Sequence, residues 1–277
     1  WTNGRDNLSR FFKGTFDGKG NTISGLYISD ETKNYTGWHL GLFGYVTDAT
    51  ITNVRLQNSF FRGGTQIGSF ASVSNNSKFQ NLYSDAILEA TYSDSRAGQT
   101  GGIVSTMNGG TEGELTNCWF AGKVTSGAYG MTGGLVGLIP DGTTVAITGC
   151  LNSGTVYSTG KCVGGFIGYM QHTTGSHATV RLRDSLNVGS VSSTQNKGTG
   201  NIGAAIGKME ALLYVDQPSV RTIQSALTYA IGNGFTGALY NIAGTQITSG
   251  QNNYIPFVTV ENISGELGKS IGLSFDD

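Results

Sequence analysis

The sequence predicts an all-β fold: a single-stranded, right-handed parallel β-helix (a solenoid) of about seven rungs. Three observations support this fold class. A ten-residue pattern recurs at intervals of 28 to 41 residues, and a second short motif recurs between its copies. Glycine is abundant, at 44 of 277 residues, while helical periodicity is nearly absent. Right-handedness is expected because crossovers between parallel strands strongly prefer that hand.

The ten-residue pattern places one bend residue between two apolar positions. Its instances are Ile23-Ser24-Gly25-Leu26, Ile51-Thr52-Asn53-Val54, Phe79-Gln80-Asn81-Leu82, Leu115-Thr116-Asn117-Cys118, Ile147-Thr148-Gly149-Cys150, Leu182-Arg183-Asp184-Ser185 and Ile223-Gln224-Ser225-Ala226. Six of the seven third positions carry Gly, Asn or Asp, the residue types that tolerate a left-handed backbone. We therefore expect a sharp bend whose side chains stack as a ladder, with inward-facing residues on both sides of it.

Two further strands complete each predicted rung. Six residues after the fourth residue of the pattern, an apolar column contains Phe60, Leu88, Val124, Val156 and Val191. The second motif has small residues at both ends and reads Gly41-Leu42-Phe43-Gly44, Gly68-Ser69-Phe70-Ala71, Gly102-Ile103-Val104-Ser105, Gly134-Leu135-Val136-Gly137, Gly165-Phe166-Ile167-Gly168 and Ala204-Ala205-Ile206-Gly207. Its small ends predict close approach of neighbouring backbones. Rungs about 4.8 Å apart would form a rod of roughly 30–35 Å.

Some of these residues resemble a known family. Gly41–Gly44 and Gly133–Gly137 are similar to the defining motif of the GLUG-repeat β-helix proteins of bacterial surfaces, and Phe12–Ile23 is similar to their common opening. The resemblance covers about residues 1–210. It implies an exported or wall-anchored protein that is adhesin-like or a non-catalytic part of a surface peptidase. Val260–Leu267 resembles the connector that follows such domains.

The predicted organisation is a parallel β-helix with GLUG-type repeats over residues 1–231 and a C-terminal cap, or closing segment and linker, over 232–277. The chain begins at Trp1 without Met or a signal-peptide pattern, so we expect a piece of a longer exported protein, extracellular or at the cell surface. Charged residues make up 13% and the net charge is −1, which argues against nucleic acid as a partner. No apolar run is long enough to predict a membrane span.

No catalytic, cofactor-binding or metal-binding set emerges from the columns, because no column carries acids in adjacent rungs. We expect Asp17 to be a turn residue and Asp184 a ladder substitute for Asn. His172 and His177 lack a third ligand nearby in sequence, which favours a solvated loop. Cys118 and Cys150 share an inward column, where they would form either a disulfide or two free buried thiols.

The candidate ligand-binding stripe is the outward position after the bend, occupied by Tyr27, Arg55, Tyr83 and Trp119. Aromatic rings and a guanidinium in line can bind sugar rings or a partner protein, or can simply stabilise rung stacking. The predicted function is a non-enzymatic surface module, a structural stalk or adhesin-like domain that binds a glycan or host protein without a cofactor. The alternatives are a degenerate polysaccharide lyase or hydrolase, and an accessory domain of a larger surface peptidase.

Overall fold

The computed structural model describes residues 11–29, 39–91, 98–108, 110, 113–127, 130–160, 162–194, 201–216, 219–223, 230–232, 238–241, 243, 245–246, 255 and 257–258. Every regular element in these ranges is a β-strand. Within them, no helix has the length and apolar character to cross a membrane.

The strands follow one another at short intervals. The first ten are β1 (Phe12–Asp17), β2 (Thr22–Ser24), β3 (Tyr27–Ser29), β4 (His39–Leu40), β5 (Phe43–Gln57), β6 (Phe60–Gly63), β7 (Gln66–Gly68), β8 (Ala71–Asn75), β9 (Lys78–Ser84) and β10 (Ile87–Ala90). The middle of the chain holds β11 (Gln99–Gly101), β12 (Val104–Asn108), β13 (Gly113–Phe120), β14 (Lys123–Ser126), β15 (Met131–Gly133), β16 (Val136–Ile139), β17 (Thr144–Thr148), β18 (Leu151–Asn152), β19 (Thr155–Ser158), β20 (Cys162–Gly164) and β21 (Ile167–Met170). The remainder are β22 (His172–Thr173), β23 (Ser176–His177), β24 (Thr179–Arg183), β25 (Ser185–Asn187), β26 (Ser190–Ser193), β27 (Asn201–Gly203), β28 (Ile206–Met209), β29 (Leu212–Val215), β30 (Val220–Ile223), β31 (Ala238–Asn241) and β32 (Phe257–Val258).

These strands stack into a parallel β-helix, which confirms the predicted fold class. One six-stranded sheet runs β3-β6-β10-β14-β19-β26, and a second runs β4-β7-β11-β15-β20-β27. The rest of each turn belongs to one large sheet of 18 strands. Among the described strands, the antiparallel pair is β22 with β23, a small hairpin outside the three sheets. The two six-stranded sheets define six complete turns, and the large sheet adds strands at both ends.

The predicted bend and its side-chain ladder are both present. Asn53, Asn81, Asn117 and Asp184 have φ between 47° and 54°, and Gly149 has φ 65°. The amide Nδ2 atoms donate along the ladder, from Asn53 to Asp17 Oδ1 (3.0 Å), from Asn81 to Asn53 Oδ1 (2.9 Å) and from Asn117 to Asn81 Oδ1 (3.3 Å). The ladder stops at Gly149 because glycine has no side-chain amide. The Asn117 side chain fills the space there, and a Cβ on Gly149 would lie 2.3 Å from Asn117 Oδ1.

Asp17 forms the first step of this ladder and also the predicted turn. The backbone N–H of Lys19 donates to Asp17 Oδ1 at 2.9 Å, and the Lys19 ammonium lies 3.0 Å from Oδ2. The Lys19 N–H first, and the Asn53 amide second, lower the pKa of Asp17 to about 2. The carboxylate is therefore the charged form that the turn and the ladder both require.

The predicted register is wrong in the first and last instances of the pattern. Phe16, rather than Ile23, pairs with Ile51, and Ile23 pairs with Leu56. Gly25 instead takes the place that Asn58 occupies in the next turn, a second left-handed bend (φ 74° and 48°). At the other end, Val215 and Val220 continue the inward columns that were assigned to Ile223 and Ala226. At the first turn the cause is a second left-handed bend, at Gly25 and Asn58, that is built from the same residue types as the first bend, so the sequence pattern fits either of them.

The strand after this second bend is also shifted by one residue in the early turns. Leu88 pairs with Phe61, which is fully buried, whereas Phe60 pairs with Ile87 on the outer face. The inward column assigned to Phe60 therefore belongs to Phe61, because the turn of Asn58 is one residue longer than the following turns. From Leu88 to Val191 the predicted column is confirmed.

The small residues of the second motif allow the predicted close approach. A Cβ on Gly137, Gly168 or Gly207 would lie 2.4–2.7 Å from the backbone nitrogens of Thr100, Thr132 and Val163, respectively, on the adjacent sheet. In two earlier turns the equivalent residue is serine, whose hydroxyl donates to that sheet: Ser72 to the Gln66 carbonyl (3.0 Å) and Ser105 to the Gln99 carbonyl (2.8 Å). The motif thus joins two sheets at a tight corner.

In one turn the register of this motif differs from the prediction, since Ala71 and not Phe70 pairs with Phe43.

The described interior is mostly apolar, and it contains a buried asparagine ladder that the sequence did not predict. Asn152, Asn187 and Thr222 pair in register inside the large sheet and are 0% exposed. Asn152 Nδ2 donates to Asn187 Oδ1 at 2.7 Å, and Asn187 Nδ2 donates to the Ala204 carbonyl at 2.6 Å. The backbone N–H of Gly189 also donates to Asn187 Oδ1, at 3.2 Å. The ladder therefore ties three sides of the helix together through one side chain.

Parallel pairing continues past residue 231. β31 pairs with β29, and β32 pairs with β30, so both extend the large sheet in the same direction. The predicted boundary between 231 and 232 stays a prediction, and residues 259–277, including the expected connector at Val260–Leu267, lie outside the described residues.

Candidate functional site

Three of the four predicted stripe residues lie side by side on the outer face of the large sheet. Arg55 pairs with Tyr83, and Tyr83 pairs with Trp119, on β5, β9 and β13. The Tyr83 and Trp119 rings meet edge to face, with centroids 5.0 Å apart and planes at 82°. We call these residues the Arg–Tyr–Trp row. All of them are partly buried, so each still presents a surface to solvent.

The fourth predicted residue, Tyr27, is not part of this row. Thr22 pairs with Arg55, while Tyr27 lies on β3 in one of the six-stranded sheets and pairs with Phe60. The correction follows from the register of the first turn, in which Gly25 forms the second bend instead of the first. A single misplaced bend moves Tyr27 to a different side of the helix.

Contacts with the following turns fix the position of the Trp119 side chain. Its indole Nε1 donates to Ser153 Oγ at 2.8 Å, and the ring packs against Leu151 and Leu186, which continue the same column and are fully buried. Burial first, and the Asp85 carboxylate second, raise the pKa of Tyr83, so the phenol is neutral near pH 7. The row therefore offers fixed aromatic surface and one guanidinium, with little conformational entropy to lose on binding.

A second outer surface, the Tyr27 patch, consists of Tyr27, Phe60 and Ile87. It includes the most exposed large apolar side chains among the described residues. Tyr27 is 72% exposed and Ile87 is 41% exposed, and Phe60 lies between them on consecutive strands. The Tyr27 and Phe60 rings stack at 5.3 Å with an angle of 18°. Arg62 and Glu89 flank this Tyr27 patch on the same sheet, with Nε and Oε2 4.0 Å apart. Stacking covers the facing sides of the two rings.

The Glu210 cluster, made of Tyr169, Lys208 and Glu210, was not predicted from the sequence. The Tyr169 hydroxyl donates to Glu210, and Lys208 Nζ lies 2.6 Å from Glu210 Oε1 and 4.8 Å from the centre of the Tyr169 ring. Burial would raise the pKa of Glu210, but the hydrogen bonds from Lys208 and Tyr169 outweigh it and hold that pKa below its usual range. Burial first, and Glu210 second, raise the pKa of Tyr169. The cluster is thus a neutral phenol beside an ion pair, and the pairing of Tyr169 with Lys208 on the next turn brings the two together.

The two histidines of the predicted solvated loop form a hairpin instead. His172 on β22 pairs with His177 on β23, and their rings stack with centroids 4.3 Å apart and planes at 27°. Both side chains are exposed, as expected for a loop. Across the described residues, no group of three or more His, Cys, Asp or Glu is arranged to hold a metal ion.

Cys118 and Cys150 occupy neighbouring inward positions, as predicted, and are free rather than disulfide-bonded. Each thiol donates to backbone carbonyls within its own rung stack: Cys118 Sγ to the Phe79 oxygen at 3.4 Å and Cys150 Sγ to the Thr148 oxygen at 3.4 Å. Burial first, and the neighbouring Cys150 second, raise the pKa of Cys118. Both residues thus act as small core side chains, the second of the two predicted alternatives.

Comparison with known proteins supports the fold. No family model matches the chain, and no curated protein matches it in sequence. Among solved structures it is similar to the crystal structure of a putative immunoglobulin A1 protease from Bacteroides ovatus. The TM-score is 0.55 at 15% sequence identity, and the match covers 91% of this chain and 71% of that one. At this identity the likeness shows a shared fold and leaves activity open.

Proposed function

We propose that this chain is a rigid, non-enzymatic binding module of an exported bacterial surface protein, related to the GLUG-repeat β-helix proteins, and that it binds a glycan. The observation that carries the proposal is the Arg–Tyr–Trp row, in which the three side chains predicted to bind are adjacent on consecutive turns. Aromatic faces bury the apolar faces of sugars, and a guanidinium donates paired hydrogen bonds to hydroxyl or carboxylate oxygens. Trp and Arg are also the residue types that most often dominate binding energy at interfaces.

Replacing Trp119 by alanine tests this proposal. We expect the protein to bind at least one glycan class on an array, and Trp119→Ala to weaken that binding by about tenfold or more. Arg55→Gln tests the same row without removing the Trp119 packing. Tyr157→Ala is a matched control, because Tyr157 is a partly exposed aromatic residue on β19, on another sheet.

Two outcomes contradict the glycan proposal. One is that no glycan binds to the wild-type protein, including the case in which a host protein binds instead. The other is that a glycan binds but its affinity is unaffected by both Trp119→Ala and Arg55→Gln. Thermal unfolding of each variant separates lost binding from lost structure.

The second candidate function is an accessory domain that positions substrates for a larger surface peptidase. The observation that favours it is the fold likeness to the Bacteroides ovatus protein, which spans most of both chains. In that case the β-helix would contribute affinity for an intact protein substrate and leave the chemistry to another domain.

Deletion in the full-length protein tests the second candidate. We expect removal of the β-helix to lower kcat/KM by about tenfold or more for an intact protein substrate and to leave a short peptide substrate unaffected, because uniform binding energy affects KM rather than the chemical step. A full-length protein without a peptidase domain, or equal losses on both substrates, would reject this candidate.

A further inference from the structure

The histidine hairpin brings two imidazoles together by strand pairing. The N–H of Ala178 donates to the Gln171 carbonyl at 3.1 Å, so the neighbouring His172–His177 pair occupies a non-hydrogen-bonded position of the antiparallel ribbon. At such positions opposite side chains approach most closely. Gly175, with φ 87°, closes the tight turn that holds the two strands in register. The ring contact is therefore fixed by the backbone of the hairpin.

We infer that His172 and His177 form a binding site for a late first-row divalent cation such as Cu²⁺, Ni²⁺ or Zn²⁺. Each imidazole would supply one nitrogen at about 2.0–2.1 Å from the metal, and water would fill the other positions. Two imidazoles already held 4.3 Å apart at their ring centres can direct one nitrogen each at a shared ion by side-chain rotation, without a change in the backbone. Both rings are exposed, so the ion can reach them without opening the fold.

The charges around the hairpin favour a cation there. Asp141 accepts a hydrogen bond from the Thr173 hydroxyl, which places one carboxylate beside the hairpin. Glu210 interacts electrostatically with His172, and its charge is partly balanced by Lys208 at 2.6 Å. Two carboxylates against one ammonium leave a negative field, which adds to the attraction for a divalent ion.

The site is independent of the proposed glycan-binding row. Since both metal ligands lie on an exposed hairpin outside the three sheets, their substitution should leave the β-helix intact. The inferred site also differs from a structural zinc site, which needs four protein ligands. Reversible binding with open coordination positions is the expected behaviour.

Titration of untagged protein with Cu²⁺ tests the inference. We expect one Cu²⁺ per chain by calorimetry, with two equatorial imidazole nitrogens in the electron paramagnetic resonance spectrum. His172→Ala and His177→Ala should each weaken Cu²⁺ binding by about tenfold or more, because each substitution removes one of the two chelating imidazoles and leaves a single ligand. His39→Ala is the matched control, since His39 is the remaining histidine of the chain and its Nδ1 lies 3.2 Å from Ser72 Oγ.

Two results would overturn the inference. If the His172→Ala/His177→Ala double variant binds Cu²⁺ as tightly as the wild type, or the spectrum shows a single imidazole, the pair is not a metal site. Melting temperatures measured without metal should be the same for the wild type, the two single variants at His172 and His177 and the double variant, which makes any loss of binding a local effect.

Discussion

Gly168→Ala is expected to lower the free energy of unfolding by about 2–3 kcal/mol or more. The added methyl group would sit 2.4 Å from the backbone nitrogen of Thr132 and 2.6 Å from the Gly137 carbonyl oxygen. Both contacts are backbone atoms of paired strands, so the clash cannot be relieved by a side-chain rotation. The two sheets that meet at this corner would have to separate. Because each turn of a solenoid is stabilised by contacts with its neighbours, the separation would also weaken the adjacent turns.

Gly25→Asn is the matched control for the glycine at the corner. Gly25 has φ 74° and a Cβ placed on it would meet no atom within 4 Å, and Asn58 already adopts a left-handed backbone at the same place in the next turn. We expect a cost below about 1 kcal/mol, because Asn tolerates this conformation. Urea denaturation followed by circular dichroism measures both variants. Equal stability loss in the two would mean that close sheet contact is not what the small residue provides.

Asn187→Ala is expected to destabilise the protein by about 3 kcal/mol or more. The substitution leaves the Asn152 amide and the Gly189 N–H without the acceptor Asn187 Oδ1, and it removes the donor to the Ala204 carbonyl. Asn187 is 0% exposed, so water cannot replace these bonds without opening the core. Each buried polar group left unpaired costs about 1–3 kcal/mol.

The control for the inner ladder is Asn81→Gly in the outer ladder. Asn81 has φ 54°, which glycine adopts without strain, and Gly149 occupies the equivalent position two turns later. The side chain is partly exposed, so water can satisfy the partners it leaves. We expect a loss of about 1 kcal/mol or less, measured in the same denaturation series. Indifference of the protein to Asn187→Ala would show that the buried ladder adds nothing to stability.

In the middle of the chain the inward columns were predictable from the sequence, because the Gly/Asn/Asp-type residues of the pattern fit only one bend there. Asn81 and Asn117 occupy a left-handed bend, and the apolar residues around them have one face to fill, so the inward columns from Ile51 to Leu182 follow directly. At the first turn the same reasoning fails. Gly25 fits a second bend as well as the first, and the choice between the two bends decides which sheet contains Tyr27.

Repetition in the sequence was enough to specify the parallel β-helix, its bend ladder and the adjacency of Arg55, Tyr83 and Trp119. These features recur from turn to turn, and a local preference that recurs is visible as a period. The features that occur once could be seen only in the folded chain: the Asn187 ladder, the Glu210 cluster and the stacking of His172 on His177. The Asn187 ladder and the contact of Tyr169 with Lys208 depend on the register of neighbouring turns, which is set by packing the whole stack. The histidine pair depends on the tight turn of the β22–β23 hairpin, which occurs once and leaves no period in the sequence.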